Sequence, residues 1–297
     1  MARCFGMAGS GMALRSTDAL PASAQVTASD HQPVLALKSA SKDVVEGANH
    51  RYPAFRNLSL TINRGEKLCV FSLNGSESRM LVACLSGVEP LDSGQLAQYS
   101  SVSWPVGSND AFSSKLSGYV NARFAADIYG SGARIEDDMR LIRELAGVDD
   151  ELFHKPLSSW PSQAKDALKL AVSLAFEFDV TMVGRVGNWD HRAIHPRAVR
   201  LRRLFEERIA GRTLVISGNG QQNLALDYCD DGLALVGGDV VYRGDPEVCV
   251  ALIKEVASRE KQKRRARVKA RISGLLEADR DEDLDDEADT ASRSESV

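Results

Sequence analysis

The feature that most constrains this 297-residue chain is a set of short, nearly apolar runs alternating with segments of helical periodicity. Leu68-Cys69-Val70-Phe71, Val180-Thr181-Met182-Val183 and Thr213-Leu214-Val215-Ile216-Ser217 are too short for amphipathic helices and end in polar or glycine turns. Such runs fit strands covered on both faces. Met80 to Leu85, Ile135 to Ala146, Ser162 to Phe178 and Arg197 to Ile209 carry apolar residues at helical spacing. The alternation predicts an α/β domain with a largely parallel sheet. Leu233 to Val236 and Asp239 to Tyr242 flank Gly237-Gly238 and predict a hairpin. Val34 to Leu37 and Leu58 to Ile62, followed by the turn Asn63-Arg64-Gly65-Glu66, predict a β layer ahead of the third strand. After that strand comes a polar, glycine-containing loop, Ser72 to Ser78, and then a helix closed by Gly87 and Pro90.

Composition excludes several classes. With 37 Lys+Arg against 41 Asp+Glu the net charge is −4, so no global cationic field favours nucleic acid, and no specific nucleic-acid role is expected. The longest nearly apolar stretch, Leu168 to Phe176, contains Lys169 and Ser173. It falls short of the roughly 18 residues that span a bilayer. Cys4, Cys69, Cys84, Cys229 and Cys249 show no CxxC spacing, which points to a reducing cytoplasm. Residues 1–30, rich in small residues and broken by Pro21, read as a disordered leader; within them Gly6 to Met12 imitates a phosphate loop without a strand or a Lys. Residues 31–257 form the folded domain and 258–297 a charged tail. Arg259 to Arg271 holds eight cations and one acid, net +7, and Glu277 to Asp289 holds nine acids and one Arg, net −8. That pattern reads either as a solvated helix extension with a disordered acidic end, or as a basic helix that touches anionic lipid or an acidic partner while the acidic block competes for it.

The segment from Leu68 to Gly87, with Asp92-Ser93-Gly94-Gln95-Leu96 after it, resembles the opening of an ATP-binding cassette (ABC) domain. Ser101 to Gly107, Phe112 to Phe124 with Leu116, Gly118, Asn121 and Arg123, and Ser173 to Asp179 are similar, more narrowly, to the ATPase subunits that energise export of capsular polysaccharide and O-antigen. The resemblance covers about residues 33 to 255. It implies a P-loop NTPase-like α/β fold with an antiparallel β subdomain and a helical insertion near residues 115 to 178. It further implies a cytoplasmic subunit, peripheral at the inner membrane, that meets a membrane permease through Phe112 to Tyr129 and pairs with itself or another cassette.

Against that family the chemistry is altered. A loop of the form G-x-x-x-x-G-K-[ST] uses glycines for close backbone approach, a Lys for charge and a hydroxyl for Mg²⁺. Here Ser72 and Glu77 stand at the glycine positions, Ser78 at the Lys and Arg79 at the hydroxyl, while Asn74, Gly75 and Ser76 remain of the loop. Removing a cation, or adding a carboxylate, about 4 Å from a polyphosphate costs roughly 4 kcal/mol at an effective dielectric near 20, about three decades of affinity. The strand at residues 180–183 ends in Gly184 and Arg185 where the family has Asp and Glu, and Gly218 stands where it has His. An Arg cannot serve as a base at physiological pH. The family's signature serine persists as Ser162, but Gln163 replaces the glycine beside it. Between His31 and His50 no aromatic matches the adenine-stacking residue, and near the dimer-contact loop Asp190 comes one place early, with His191 at the Asp position. The resemblance therefore implies no catalytic residue, no Mg²⁺, and weak ATP binding or none.

Three functions follow as alternatives. The chain is a non-hydrolysing scaffold or regulator of an exporter, or an ATPase in which Arg79 replaces the lost Lys, or a cassette-fold binding module acting through the basic helix around Arg264 and Arg265. His191, His195 and Asp190 read as a surface loop and not a metal pair, since Pro196 disfavours helical geometry at His195. Trp104, Trp160 and Cys84 read as packing residues. Ser162 near Lys165 lacks the G-x-S-x-G elbow of a hydrolase.

Overall fold

The computed structural model describes residues 32–47, 50–107, 112–130, 132–186 and 189–268. The leader, the Gly6 to Met12 motif and the acidic block lie outside the described residues, and the basic block is described as far as Val268.

β1 (Pro33–Glu46), β2 (His50–Asn63) and β4 (Ser93–Gln98) form an antiparallel sheet in the order β2-β1-β4. β5 (Val180–Val183), β6 (Thr213–Ser217), β3 (Lys67–Ser72), β7 (Asp231–Val236) and β8 (Asp239–Gly244) form the second sheet in that order, parallel except for the β7–β8 hairpin. The two-residue period of the strands sorts the core. Leu68, Val70, Val180, Met182, Val215, Leu233 and Leu235 face α1 (Gly75–Leu85) and the antiparallel sheet. Cys69, Phe71, Val183, Leu214, Ile216 and Ala234 face the helices on the other side. Because both faces are covered, the central strands are apolar throughout.

That second layer contains α2 (Gly118–Tyr129), α3 (Ile135–Ala146), the short α4 (Asp150–Phe153), α5 (Ser162–Ala175), α6 (Pro196–Ile209) and α7 (Gln222–Tyr228). A last helix, α8, covers residues 246–268. Trp160 is buried and donates to the Lys155 carbonyl, and the partly buried Trp104 donates to Ser173 Oγ. Cys84 is buried in α1, and desolvation, outweighing Lys42, pushes its thiol up to about 12. Both tryptophans and this cysteine are packing residues.

Three expectations need correction. β1 and β2 run well beyond Val34–Leu37 and Leu58–Ile62, because bulges and the positive φ of Ser39 and Asn57 interrupt the alternation without ending the pairing. α1 begins at Gly75, so most of the expected loop is its first turn; the apolar period starts only at Met80. α5 stops at Ala175 and not Phe178: Phe176 is extended, and Arg208 donates to the carbonyls of Leu174 and Ala175.

Candidate functional site

In an open parallel sheet the natural binding crevice lies at the carboxyl ends of the strands. The structure gathers the loop residues there. Ser72 ends β3, Ser217 ends β6, and the peptide of Ser72 is clamped by Asn219, whose Oδ1 accepts its N–H at 2.9 Å and whose Nδ2 donates to its carbonyl at 2.8 Å. Ser72 Oγ donates to the Asn74 carbonyl and accepts the Ser78 N–H at 3.1 Å. Ser78, which the resemblance sets at the lysine position, is fully buried; its hydroxyl lies 2.9 Å from both Ser217 Oγ and Asn219 Oδ1. The interior of the loop is thus occupied by its own hydrogen bonds.

Glu77 lies in this first turn at 2% exposure. Asn74 supplies its hydrogen bonds, Oε2 has no partner, and burial raises the carboxyl to about 6. Arg79 does not enter the loop: it donates to Ser76 Oγ at 3.1 Å, and Ser76 donates to Glu46 at 3.1 Å. A Cβ on Gly75 would stand 3.0 Å from Arg79 Nη1 and 3.2 Å from Asn219 Cβ, so the chain is close-packed at this point.

The other two strand ends are filled as well. A Cβ at Gly218 would lie 2.3 Å from the ring of Phe71, a buried core residue, so a histidine there requires that ring to move. At Gly184 a Cβ would meet Pro105 Cβ at 3.1 Å. Gly107 has φ +84°, and a Cβ on it would fall 2.0 Å from the Arg185 carbonyl, so only glycine lets residues 105–107 lie on residues 184–185. Gln221 ties these ends together, donating to the carbonyls of Gly184 and Ser217 and accepting from the Val186 N–H. Arg185 is exposed.

Ser162 opens α5 and, like Gln163, is exposed; it makes no hydrogen bond to the loop residues. His195 caps α6 through the Ala198 N–H, in extended geometry before Pro196. His191 is not a surface residue: at 6% exposure its Nε2 lies 2.7 Å from Asp227 Oδ2. Arg192 grips the same carboxylate with two bonds, which hold it at about 2.

Sequence reasoning missed Asn219, Gln221 and Tyr52. The first two are polar residues just past a buried strand, which is the available signal. Tyr52 stands two residues beyond the window searched for an aromatic; its hydroxyl donates to Glu46 at 2.7 Å, beside Ser76, and His50 packs on its ring at 5.2 Å.

A second surface feature lies on α2. Val120, Phe124 and Ile128 form a stripe at helical spacing, prolonged by Leu116 and Tyr129, with Phe124 65% exposed. Tyr129 packs on Trp104 at 4.8 Å and edges a cavity of about 580 Å³ that also includes Arg134, Phe176 and Arg200.

No family model matches the chain. Among curated proteins it is 29% identical over 186 residues to the ATP-binding protein BexA of Haemophilus influenzae, covering 62% of this chain and 81% of that one. To the capsule polysaccharide export ATP-binding protein CtrD of Neisseria meningitidis it is 28% identical over 61% of this chain and 81% of that one. To the polysialic acid transport ATP-binding protein KpsT of Escherichia coli it is 24% identical over 61% and 78%. Among solved structures, the dimeric cassette MJ0796 in a post-hydrolysis state with ADP and Pi superposes with a TM-score of 0.57 at 14% identity, covering 71% of this chain and 98% of that one. The expected fold is thereby met: the chain has the fold of ATP-binding cassettes and is similar in sequence to ATP-binding proteins of capsule and polysaccharide export.

Proposed function

We propose that this chain is the cassette subunit of a capsule or O-antigen exporter that docks on a membrane permease as scaffold or regulator and does not hydrolyse ATP. The observation that carries the second half is the self-satisfied loop: Ser72, Ser78 and Asn219 bond one another where an open phosphate cradle would be. The residues present do not fit a magnesium-bound triphosphate. Arg79 and Arg185 cannot ligate Mg²⁺, Gly184 offers no carboxylate, and the buried Glu77 repels phosphate. Gly218 and its packing on Phe71 leave no histidine to meet a terminal phosphate.

The first half is supported by the named roles of the relatives and by the α2 stripe. An apolar row on an exposed helix costs solubility unless a partner covers it. Among the described residues no helix is long and apolar enough to cross a membrane. The expected place of this subunit is the cytoplasmic face of the inner membrane, as a dimer with itself or a second cassette. α8 adds a second contact: Lys261, Arg264, Arg265 and Arg267 are exposed on it, and anionic lipid is the ligand such a helix suits.

Two measurements test the reading. The full chain, co-expressed with the exporter's permease subunit, should co-purify with it. Phosphate release from Mg-ATP should stay at background, alone and in that complex. Steady turnover abolished by Arg79→Ala would establish the rewired ATPase instead.

A further inference from the structure

We propose that the cavity beside α1 binds a metal-free phosphate or polyphosphate through Arg79 and Arg185, and that Mg²⁺ weakens this binding. The inference rests on the reading above that the metal site is lost, and it adds a ligand class to that site.

The cavity measures about 370 Å³ and is walled by Ser76, Arg79 and Met80 of α1, by Pro105 and Gly107, and by Gly184 and Arg185 past β5. Two arginines therefore line one space, Arg79 from α1 and Arg185 from the chain just past β5. Among the described residues neither forms a salt bridge; Arg79 donates to Ser76 Oγ, and Arg185 is exposed. The carboxylates nearby are engaged. Glu89, which also lines the cavity, lies 3.9 Å from Lys42 Nζ, and Glu46 accepts from Tyr52 and Ser76. The fixed charge facing the cavity is thus two cations against one paired acid.

A planar guanidinium matches two phosphate oxygens at once, and two of them offer the charge a bare polyphosphate requires. By the resemblance, Arg79 stands at the position of the Mg²⁺-binding hydroxyl and Arg185 at that of the water-activating Glu. Mg²⁺ already bound to the phosphates would cancel part of the negative charge that the arginines recognise and would bring a dication toward two cations, where the one lining carboxylate, Glu89, already lies beside Lys42. The ordinary order of preference, metal complex above free anion, is reversed.

Calorimetric titration of the full chain at low salt tests this, with inorganic pyrophosphate and with ATP, each in EDTA and in excess Mg²⁺. Binding is expected in EDTA, to be weakened several-fold by Mg²⁺, and to fall about tenfold in Arg79→Gln and in Arg185→Ala. Arg79→Gln retains a donor for Ser76, and Arg185 is exposed, so both variants should keep the wild-type circular dichroism; Arg185→Lys should keep part of the affinity. ATP binding more tightly than pyrophosphate would assign the site to a nucleotide, and equal affinities to polyphosphate as such. No binding in EDTA, a requirement for Mg²⁺, or affinities indifferent to both arginines would overturn the proposal. Phosphate release followed in the same samples keeps the two ideas apart: turnover refutes the loss of hydrolysis, while absent binding refutes only the metal-free site.

Discussion

At the carboxyl ends of β3, β5 and β6 the side chains turn inward and satisfy one another, whereas along α2 the apolar side chains turn outward into solvent. The first region is closed by its own hydrogen bonds; the second leaves an apolar row uncovered. Buried polar groups must find partners, and Ser72, Ser78, Ser217, Asn219 and Gln221 find them within the chain. An exposed row of Val120, Phe124 and Ile128 gains nothing until another molecule covers it. The difference teaches that one sheet-and-helix scaffold can close a polar crevice on itself at one end while leaving an apolar helix face open at another.

The largest expected effect is on the outward face. Phe124→Asp should weaken association with the permease by about thirtyfold or more, the scale of a central aromatic anchor, in a quantitative pull-down. Unchanged association would move the docking surface off α2. Next comes the inward region, where Gly218→Ala forces a methyl against Phe71 and should cost about 1–3 kcal/mol in urea denaturation. An unaltered midpoint would mean that the ring yields freely and that the site could readmit a histidine.

The smallest effect sharpens the same point through pH. Glu77 has its carboxyl raised to about 6 in the folded chain from 4.5, so the folded state holds the proton more tightly. Its burial is tolerated below about pH 4.5, stability then falls as pH rises to about 6, and the full cost of about 2 kcal/mol is present above that. Glu77→Gln should therefore raise the melting temperature at pH 8 and leave it nearly unchanged at pH 4.5. Equal melting temperatures at pH 8 would show that the carboxylate has found water.

Legibility in the sequence followed how local each signal was. β5, β6 and α3 appear with the bounds their patterns predict, since a buried strand and an amphipathic helix each advertise a single period. β1 and β2 were legible only in part, because the positive φ at Ser39 and Asn57 resets the alternation midway. The first turn of α1 was invisible for the opposite reason: Glu77 and Ser78 are polar residues in buried positions, which hydropathy scores as loop. His191 likewise has no local mark of burial; Asp227, 36 residues away, supplies the partner that permits it.

Residue identity alone set the expectation that Ser78, Gly184, Arg185 and Gly218 stand where the cassette resemblance implies a Lys, an Asp, a Glu and a His, and determined that the strands and helices pack as a covered parallel sheet. Only the tertiary structure decided what surrounds those positions: Asn219 and Gln221 knitting three strand ends together, Phe71 taking the space beside Gly218, and Arg79 and Arg185 lining one cavity. Substitutions are written along the chain, but a hydrogen bond between Ser78 and Ser217 spans 139 residues, and its formation depends on the sheet that brings β3 beside β6.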